Sequence, residues 1–480
     1  MKRIVVVGGG VAGLTLAHNL LRLGARERGV DVIVLERAAR AGGNLRSDHV
    51  DGYLCEAGPN GFLDNAPRTL QLVSELGLDG RLLPSHDRAR RRYIYRHGRL
   101  HRLPGDPLGF LRSGLLSWPG KLRIAWEPFA KPRPAGDESI HDFAARRIGQ
   151  EAAWVLVGSM VSGVFAGDAR ALSLRACFPK MWEMETEHGG LFRALFARVR
   201  AGRRRRGEAI GSPLGRLTSF RGGVEELVHG LTRAVGPSLR VSTSPAALQP
   251  RDGGYELKLP NGDALHASVV VLACPPGESA RLLESVDAQA AAELRAIASA
   301  PIAVVALGFA SRAIPPLDGF GFLVPRGAGP RVLGVLWDSS IFSERAPEGR
   351  SLLRAMLGGA LDPDAIRLAD DELIAVARRD LASTMNLRAE PELVRITRHP
   401  LGIPQYTRGH LDCLARIDAR LARLPGLFLT GNGYRGVAIN ACVAEACEKA
   451  ASILSAAERA APPPATAAST ATPEPRPTFA

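Results

Sequence analysis

Lysine is nearly missing from this sequence: Lys2, Lys121, Lys131, Lys180, Lys258 and Lys449 are the only six among 62 basic residues, which leaves 56 arginines. The net charge of +14 therefore rests on arginine. Such a balance reads either as general arginine usage or as a partner rich in carboxylates or phosphates. Nucleic acid is a poor fit, because no basic stripe with interleaved aromatics and no nucleic-acid-binding motif is present. Cysteine is scarce as well. Cys55, Cys177, Cys274, Cys413, Cys442 and Cys447 form no C-x-x-C pair and no metal-ligand spacing, which argues against a disulfide framework and against a bound metal. A reducing, cytoplasmic setting follows. No run approaches the roughly 18 apolar residues of a membrane-spanning helix. The apolar start, Ile4 to Val7, is too short for a secretory signal and runs directly into glycines.

What remains is a chain of 480 residues, 46% hydrophobic with mean hydropathy near zero, enough for two or three domains. Ile4–Val7 is a β-branched run. Ala12 to Leu23 carries Leu14, Ala17, Leu20 and Leu21 at helical spacing and stops at Gly24, and Asp31–Glu36 is a second β-rich run. Together they predict a βαβ unit. Further strands are predicted over Ser268–Cys274, Ile302–Phe309, Val332–Leu336 and Leu427–Thr430. Residues 105–200 read as helical, with Ser139 and Asp142 resembling a capping box. They hold Trp118, Trp126, Trp154 and Trp182, four of the five tryptophans. From Ser455 the chain turns to Ala, Pro and Thr, a composition that cannot bury enough apolar surface to order itself.

Gly8-x-Gly10-x-x-Gly13 lies between the first strand and its helix, and Glu36 follows Gly13 by 23 positions at the end of the second strand. Such a loop makes a tight turn at Gly8, admits a pyrophosphate at Gly10 and packs helix on strand at Gly13, while the acid meets a ribose diol. A dinucleotide site is predicted. Three features point to FAD rather than NAD: Ala17 and Gly24 extend the small-residue spacing, Arg40-x-Gly42-Gly43 follows the second strand, and Phe428-Leu429-Thr430-Gly431-Asn432 supplies a distant strand and glycine turn.

Beyond these, Gly58-Pro59-Asn60-Gly61-Phe62, the block Ser162-Gly163-Val164-Phe165-Ala166-Gly167-Asp168 and the run Phe178 to Glu185 stand out. So do Gly319 to Pro325, Leu401 to Tyr406 and Gly431 to Asn440. From about residue 3 to 455 the sequence resembles the oxygen-dependent protoporphyrinogen IX oxidase family, in the wider group of monoamine oxidases and phytoene desaturases. The resemblance implies a mixed α/β fold. Residues 1–87, 222–285 and 398–458 would form a discontinuous Rossmann-like FAD-binding domain, and 88–104, 201–221 and 286–397 a β-sheet substrate domain. Residues 105–200 would be a helical, membrane-associating insert, and 459–480 a disordered tail.

It also implies noncovalent FAD, since Tyr434-Arg435 stands where covalent relatives place a cysteine. Cofactor contacts are expected at Gly8, Gly9, Gly10, Val11, Ala12, Gly13, Glu36, Arg37, Gly42, Gly43 and Asn44. Gly58, Pro59, Asn60 and Gly61 would line the ring, Ala246 the adenine side, and Gly431, Asn432, Val437, Ala438 and Ile439 the flavin end. The implied substrate is protoporphyrinogen IX, oxidised in three two-electron rounds with dioxygen as acceptor and hydrogen peroxide as by-product. Arg92 would pair with a propionate, Leu323 and Phe342 would wall the site, and Asn60 and Gly163 would position the substrate without a dedicated acid or base. Coproporphyrinogen III is the closest alternative substrate. A noncatalytic escort protein on the same fold is a more distant reading. An amine oxidase fits poorly, because no lysine stands in a matching motif. The resemblance further allows a homodimer and a peripheral contact with the cytoplasmic face of the inner membrane, through the apolar and cationic stretch Leu108–Lys131.

Overall fold

The computed structural model describes residues 2–194, 196–197 and 215–460. The part of the expected substrate domain over 201–214 and the expected tail from 461 lie outside the described residues, whereas Ser455–Arg459, whose composition reads as unordered, close the helix Ile439–Arg459 with Ala457 buried.

The β-branched runs build a five-stranded parallel sheet in the order Leu239–Arg240, Val30–Leu35, Lys2–Val7, Val269–Leu272, Leu427–Leu429. Its strands are near-continuous in apolar residues because helices and a small second sheet cover its two faces. The side chains alternate between two cores: Ile4, Val6, Val32, Val34 and Val271 enter one, and Val5, Val7, Ile33, Leu35 and Leu272 enter the other. The first core is closed by the helices Val11–Arg22, Glu225–Val235 and Ile439–Arg459. Over the second lie an antiparallel meander, Ala247–Arg251, Gly254–Lys258 and Ala264–Ala267, and the helices Pro276–Leu283, Ala288–Arg295 and His410–Leu421. Segments from both ends of the chain thus complete one sheet.

A second sheet has seven strands, in the order Leu393–Pro404, Ser299–Ala310, Arg350–Gly358, Gly334–Leu336, Gly321–Leu323, Tyr93–Arg96, Arg99–Arg102. It is antiparallel except where Gly321–Leu323 pairs with Tyr93–Arg96. One face packs on the helix Asp370–Met385 through Leu373, Ala377 and Leu381. The other meets Tyr53 and Cys55 of the hairpin Ser47–Val50 and Tyr53–Glu56, and Ala166 of the helical region. The strand expected over Val332–Leu336 is shorter, beginning at Gly334: Val332 gives its N–H to the Asp380 carboxylate, while Leu333 still donates to the Met356 carbonyl of the neighbouring strand.

Helices run from Pro107–Arg112 to Pro179–His188. Ser139 caps Ile140–Ile148 as its spacing predicts, accepting from the Asp142 N–H at 3.0 Å. One wide turn, Ala153–Gly158, has π geometry and leads into Ser159–Phe165. Mid-helix turns of that kind often accompany functional sites.

Candidate functional site

At the carboxyl edge of the parallel sheet the three fingerprint glycines have different reasons to be glycine. Gly8 has φ +118°, and a Cβ on it would lie 2.7 Å from the Ala273 carbonyl oxygen. On Gly13 it would lie 2.0 Å from the Gly8 carbonyl oxygen, so only glycine lets the helix approach its strand. Gly10 is unlike both: its backbone is extended (φ −73°, ψ 177°), and a Cβ there meets nothing of the chain within 4 Å. No packing in the protein explains this glycine, whereas close approach of a pyrophosphate does. Gly10 also caps Val11–Arg22 without any side-chain bond, and the first turn holds no acid. Its free amides suit an anion.

Around this loop the chain gathers the other expected contacts. The Glu36 carboxylate accepts from the Gly9 N–H at 2.8 Å and the Ala38 N–H at 2.7 Å, which fixes its position beside the loop. Arg37 next to it is exposed. Gly42 donates to the Gly9 carbonyl at 2.8 Å, and a Cβ on Gly43 (φ +58°) would come 3.6 Å from Gly10 Cα, so the glycine doublet lies against the loop. Asn44 donates to the Gly402 carbonyl, and a Cβ on Gly58 would lie 2.3 Å from the Asn44 carbonyl oxygen. Ala246 is exposed, three residues after Thr243, which donates to the Glu36 carbonyl; its own N–H is given to the Lys258 carbonyl and its carbonyl accepts from Arg281.

Three of the sequence blocks converge at the other end. Tyr406 is buried, donates its hydroxyl to the Asn432 carbonyl at 2.5 Å and accepts from the Gly436 N–H at 2.8 Å. It stacks on His410 with ring centroids 4.1 Å apart, and His410 bonds the Tyr434 carbonyl. Burial holds the His410 imidazole below its ordinary value, so the pair clamps the turn from Gly431 to Gly436 as neutral groups. That turn delivers Val437, Ala438 and Ile439 to the start of Ile439–Arg459, a second long helix without a side-chain cap or an acid in its first turn. Val437 packs on the helical region with Phe165, Leu172 and Phe178. Gln405 ties the same place to that region by donating to the Phe165 carbonyl.

Gly163 lies in the last turn of Ser159–Phe165, under Leu323: a Cβ on Gly163 would meet Leu323 Cδ2 at 2.6 Å. In this turn the Ser162 and Phe165 carbonyls are bonded, while the Gly163 carbonyl accepts no hydrogen bond among the described residues. Leu323 pairs with Ile94, two residues from Arg92. Of three adjacent arginines, Arg90 faces Asp87 and Arg91 binds Asp318, whereas Arg92 has no carboxylate partner among the described residues and lies over the Phe320 ring at 5.1 Å. Phe342 departs from expectation. It is 1% exposed, enclosed with Leu83, Ala89 and Ile341, and covers the Arg345 guanidinium at 5.0 Å, so in this structure it shields a buried charge rather than an open cavity. Asn60 too is buried, both ends of its amide held by Asp338 and Arg354. Sequence reasoning missed Glu56, Asp338, Arg345 and Arg354, whose burial no local pattern signals.

The residues present fit FAD: a glycine with no other reason to be one, an acid beside it, and two uncapped helix N-termini. Among the described residues no cluster of His, Cys, Asp or Glu could hold a metal. A model of the flavin-containing amine oxidoreductase family matches residues 11–454. The chain is 34% identical to the chloroplastic protoporphyrinogen oxidase of Oryza sativa over 94% of this chain and 87% of that one. To the coproporphyrinogen III oxidase of Bacillus subtilis it is 29% identical over 92% and 96%. A crystal structure from Exiguobacterium, provisionally named a protoporphyrinogen oxidase, superposes with a TM-score of 0.83 at 26% identity, covering 94% of this chain and 98% of that one. With its glycine loop, its paired helix N-termini and these relatives along nearly its whole length, the chain belongs to the flavin-containing amine oxidoreductases, an FAD-dependent family, and within them groups with the protoporphyrinogen oxidases.

Proposed function

We propose that this chain oxidises protoporphyrinogen IX to protoporphyrin IX in porphyrin synthesis, using three dioxygen molecules and releasing three of hydrogen peroxide. The observation that carries the reading is its similarity to protoporphyrinogen oxidase over 94% of the chain. FAD, when bound, supplies the redox chemistry, accepting two electrons in each round and passing them to dioxygen. The chain's own residues bind and orient. A flexible tetrapyrrole is apolar across its faces and anionic at its propionate edge. Leu323 offers an apolar wall, Arg92 a guanidinium free to take a carboxylate by two hydrogen bonds, and the Gly163 carbonyl an acceptor for pyrrole N–H groups. An acid or base is not required of the protein in this scheme.

Similarity to the Bacillus enzyme favours coproporphyrinogen III as the second reading. That substrate carries four propionates, whereas among the described residues beside Leu323 the arginine without a carboxylate partner is Arg92. Anaerobic mixing of the yellow protein with each porphyrinogen decides: protoporphyrinogen should bleach the flavin faster, and admitted air should restore the colour with one peroxide per two electrons. Equal or faster bleaching by coproporphyrinogen reverses the order, and no bleaching by either rejects both. Arg92→Ala should raise the apparent KM about tenfold with FAD content unchanged.

Trp118, Leu122, Trp126 and Phe129 are 66%, 68%, 62% and 73% exposed. They support a peripheral contact with a membrane surface. Among the described residues no helix is long and apolar enough to cross one.

A further inference from the structure

Between the two sheets the chain buries charge that neither the dinucleotide loop nor the substrate wall accounts for. Arg354 stands on the strand Arg350–Gly358, and its side chain is 2% exposed. Its Nη1 donates to the Glu56 carbonyl at 2.8 Å and to the Gly58 carbonyl at 2.6 Å, and its Nη2 donates to Asn60 Oδ1 and lies 3.4 Å from Asp338 Oδ1. Asp338, on the short helix Asp338–Ile341, faces the guanidinium with Oδ2 3.0 Å from Nε and accepts from Asn60 Nδ2 at 3.0 Å. One guanidinium thereby holds positions 56, 58 and 60 of a single loop.

Burying an ion pair adds little net stability, because desolvation offsets the attraction and an apolar pair of similar volume does as well. What an apolar pair cannot do is fix three polar points of a loop at once. The loop is pressed from its far side against the Asn44 carbonyl, next to the glycine doublet that meets Gly10. It runs between the cofactor loop and the sheet that carries Leu323.

We propose that Arg354, oriented by Asp338, is a positioning residue for the flavin ring: it sets the 58–60 backbone along the bound ring and couples that backbone to the strands of the substrate wall. Asn60 is then a link in this coupling rather than a group that touches substrate. The proposal deepens the oxidase reading and shares its site, but its main test needs no substrate.

Arg354→Lys keeps the charge and loses the planar fork, so it cannot reach both carbonyls, Asn60 and Asp338 together. The FAD-loaded variant, with Asp338→Asn and Asn60→Ala beside it, is compared with the unaltered holoprotein by visible circular dichroism of the flavin, FAD dissociation constant and thermal unfolding. Expected are a changed flavin dichroism at retained FAD and, with whichever porphyrinogen bleaches the unaltered protein, a kcat lowered about tenfold with KM within about twofold. Should Arg354→Lys fail to fold, the other two variants carry the same expectation. Unchanged flavin dichroism in every variant that folds overturns the proposal. A protein bleached by no porphyrinogen overturns the oxidase reading instead and leaves the dichroism to decide this one.

Discussion

Glu56 is 2% exposed, yet it carries a carboxyl group. Burial pushes its pKa up to about 7, against hydrogen bonds from Ser47 and the Val224 N–H and the nearby charges of Arg345 and Arg354, which act the other way. A carboxyl held above its ordinary value binds its proton more tightly folded than unfolded. Its contribution is therefore complete below about pH 4.5 and is lost as pH rises through about 7, a change on the order of 3 kcal/mol. Glutamine can meet the same partners without titrating, its amide donating to Ser47 and its carbonyl accepting from Val224. Glu56→Gln should therefore gain unfolding temperature relative to the unaltered holoprotein at pH 8, and gain less or lose at pH 5. An equal difference at both pH values would mean that Glu56 is ionised throughout this range.

At the scale of elements, Gly10 and Gly13 separate binding from folding within one motif. Valine at position 13 would drive its Cβ into the Gly8 carbonyl, so Gly13→Val should lower the unfolding temperature of the cofactor-free protein or abolish soluble expression. Position 10 has room and an ordinary backbone, so Gly10→Val should fold with unaltered circular dichroism in the far ultraviolet and yet take up no FAD. A yellow Gly10→Val protein would move the pyrophosphate elsewhere. The sequence shows this motif because strand, turn and helix are contiguous and each has a local signature. Four strands of the parallel sheet are legible for the same reason, as short apolar runs bounded by glycine or proline, whereas the two-residue strand Leu239–Arg240 has no such signature. Arg354, Asp338 and Asn60 are not legible, since a polar residue's burial depends on contacts from up to 298 positions away, and nothing local marks one arginine among 56. Resemblance to the family puts Phe342 at a wall, and a matching apolar position does not tell a wall from a lid over Arg345.

At the scale of the whole molecule, much of the arginine excess among the described residues is taken up in pairs. Arg3, Arg81, Arg251, Arg281, Arg416 and Arg420 each close on a nearby carboxylate, pairs that contribute little individually. The stretch around Trp118 bears this out in a way the sequence does not show. Lys121 and Arg123, which suggest contacts to lipid phosphate, are turned inward: Lys121 donates to the Leu111 and Ser113 carbonyls and stacks on Trp118, and Arg123 donates to the Arg146 and Arg147 carbonyls. What is left outside is mostly apolar, with Trp126 against Phe129 at 5.1 Å, and Arg112 and Lys131 are its exposed cations. A membrane contact made by that face would come from insertion of aromatic and aliphatic side chains rather than from charge. Binding to vesicles should then survive raised salt and occur on neutral phosphatidylcholine. In flotation the holoprotein should rise with such vesicles at low and high salt alike, and a variant with Trp118→Glu and Phe129→Glu should stay below while keeping its FAD and its unfolding temperature, since both side chains are mostly in solvent. A protein that floats only with anionic vesicles at low salt would trace the contact to the scattered arginines, and one that never floats would leave the aromatic face without a lipid partner.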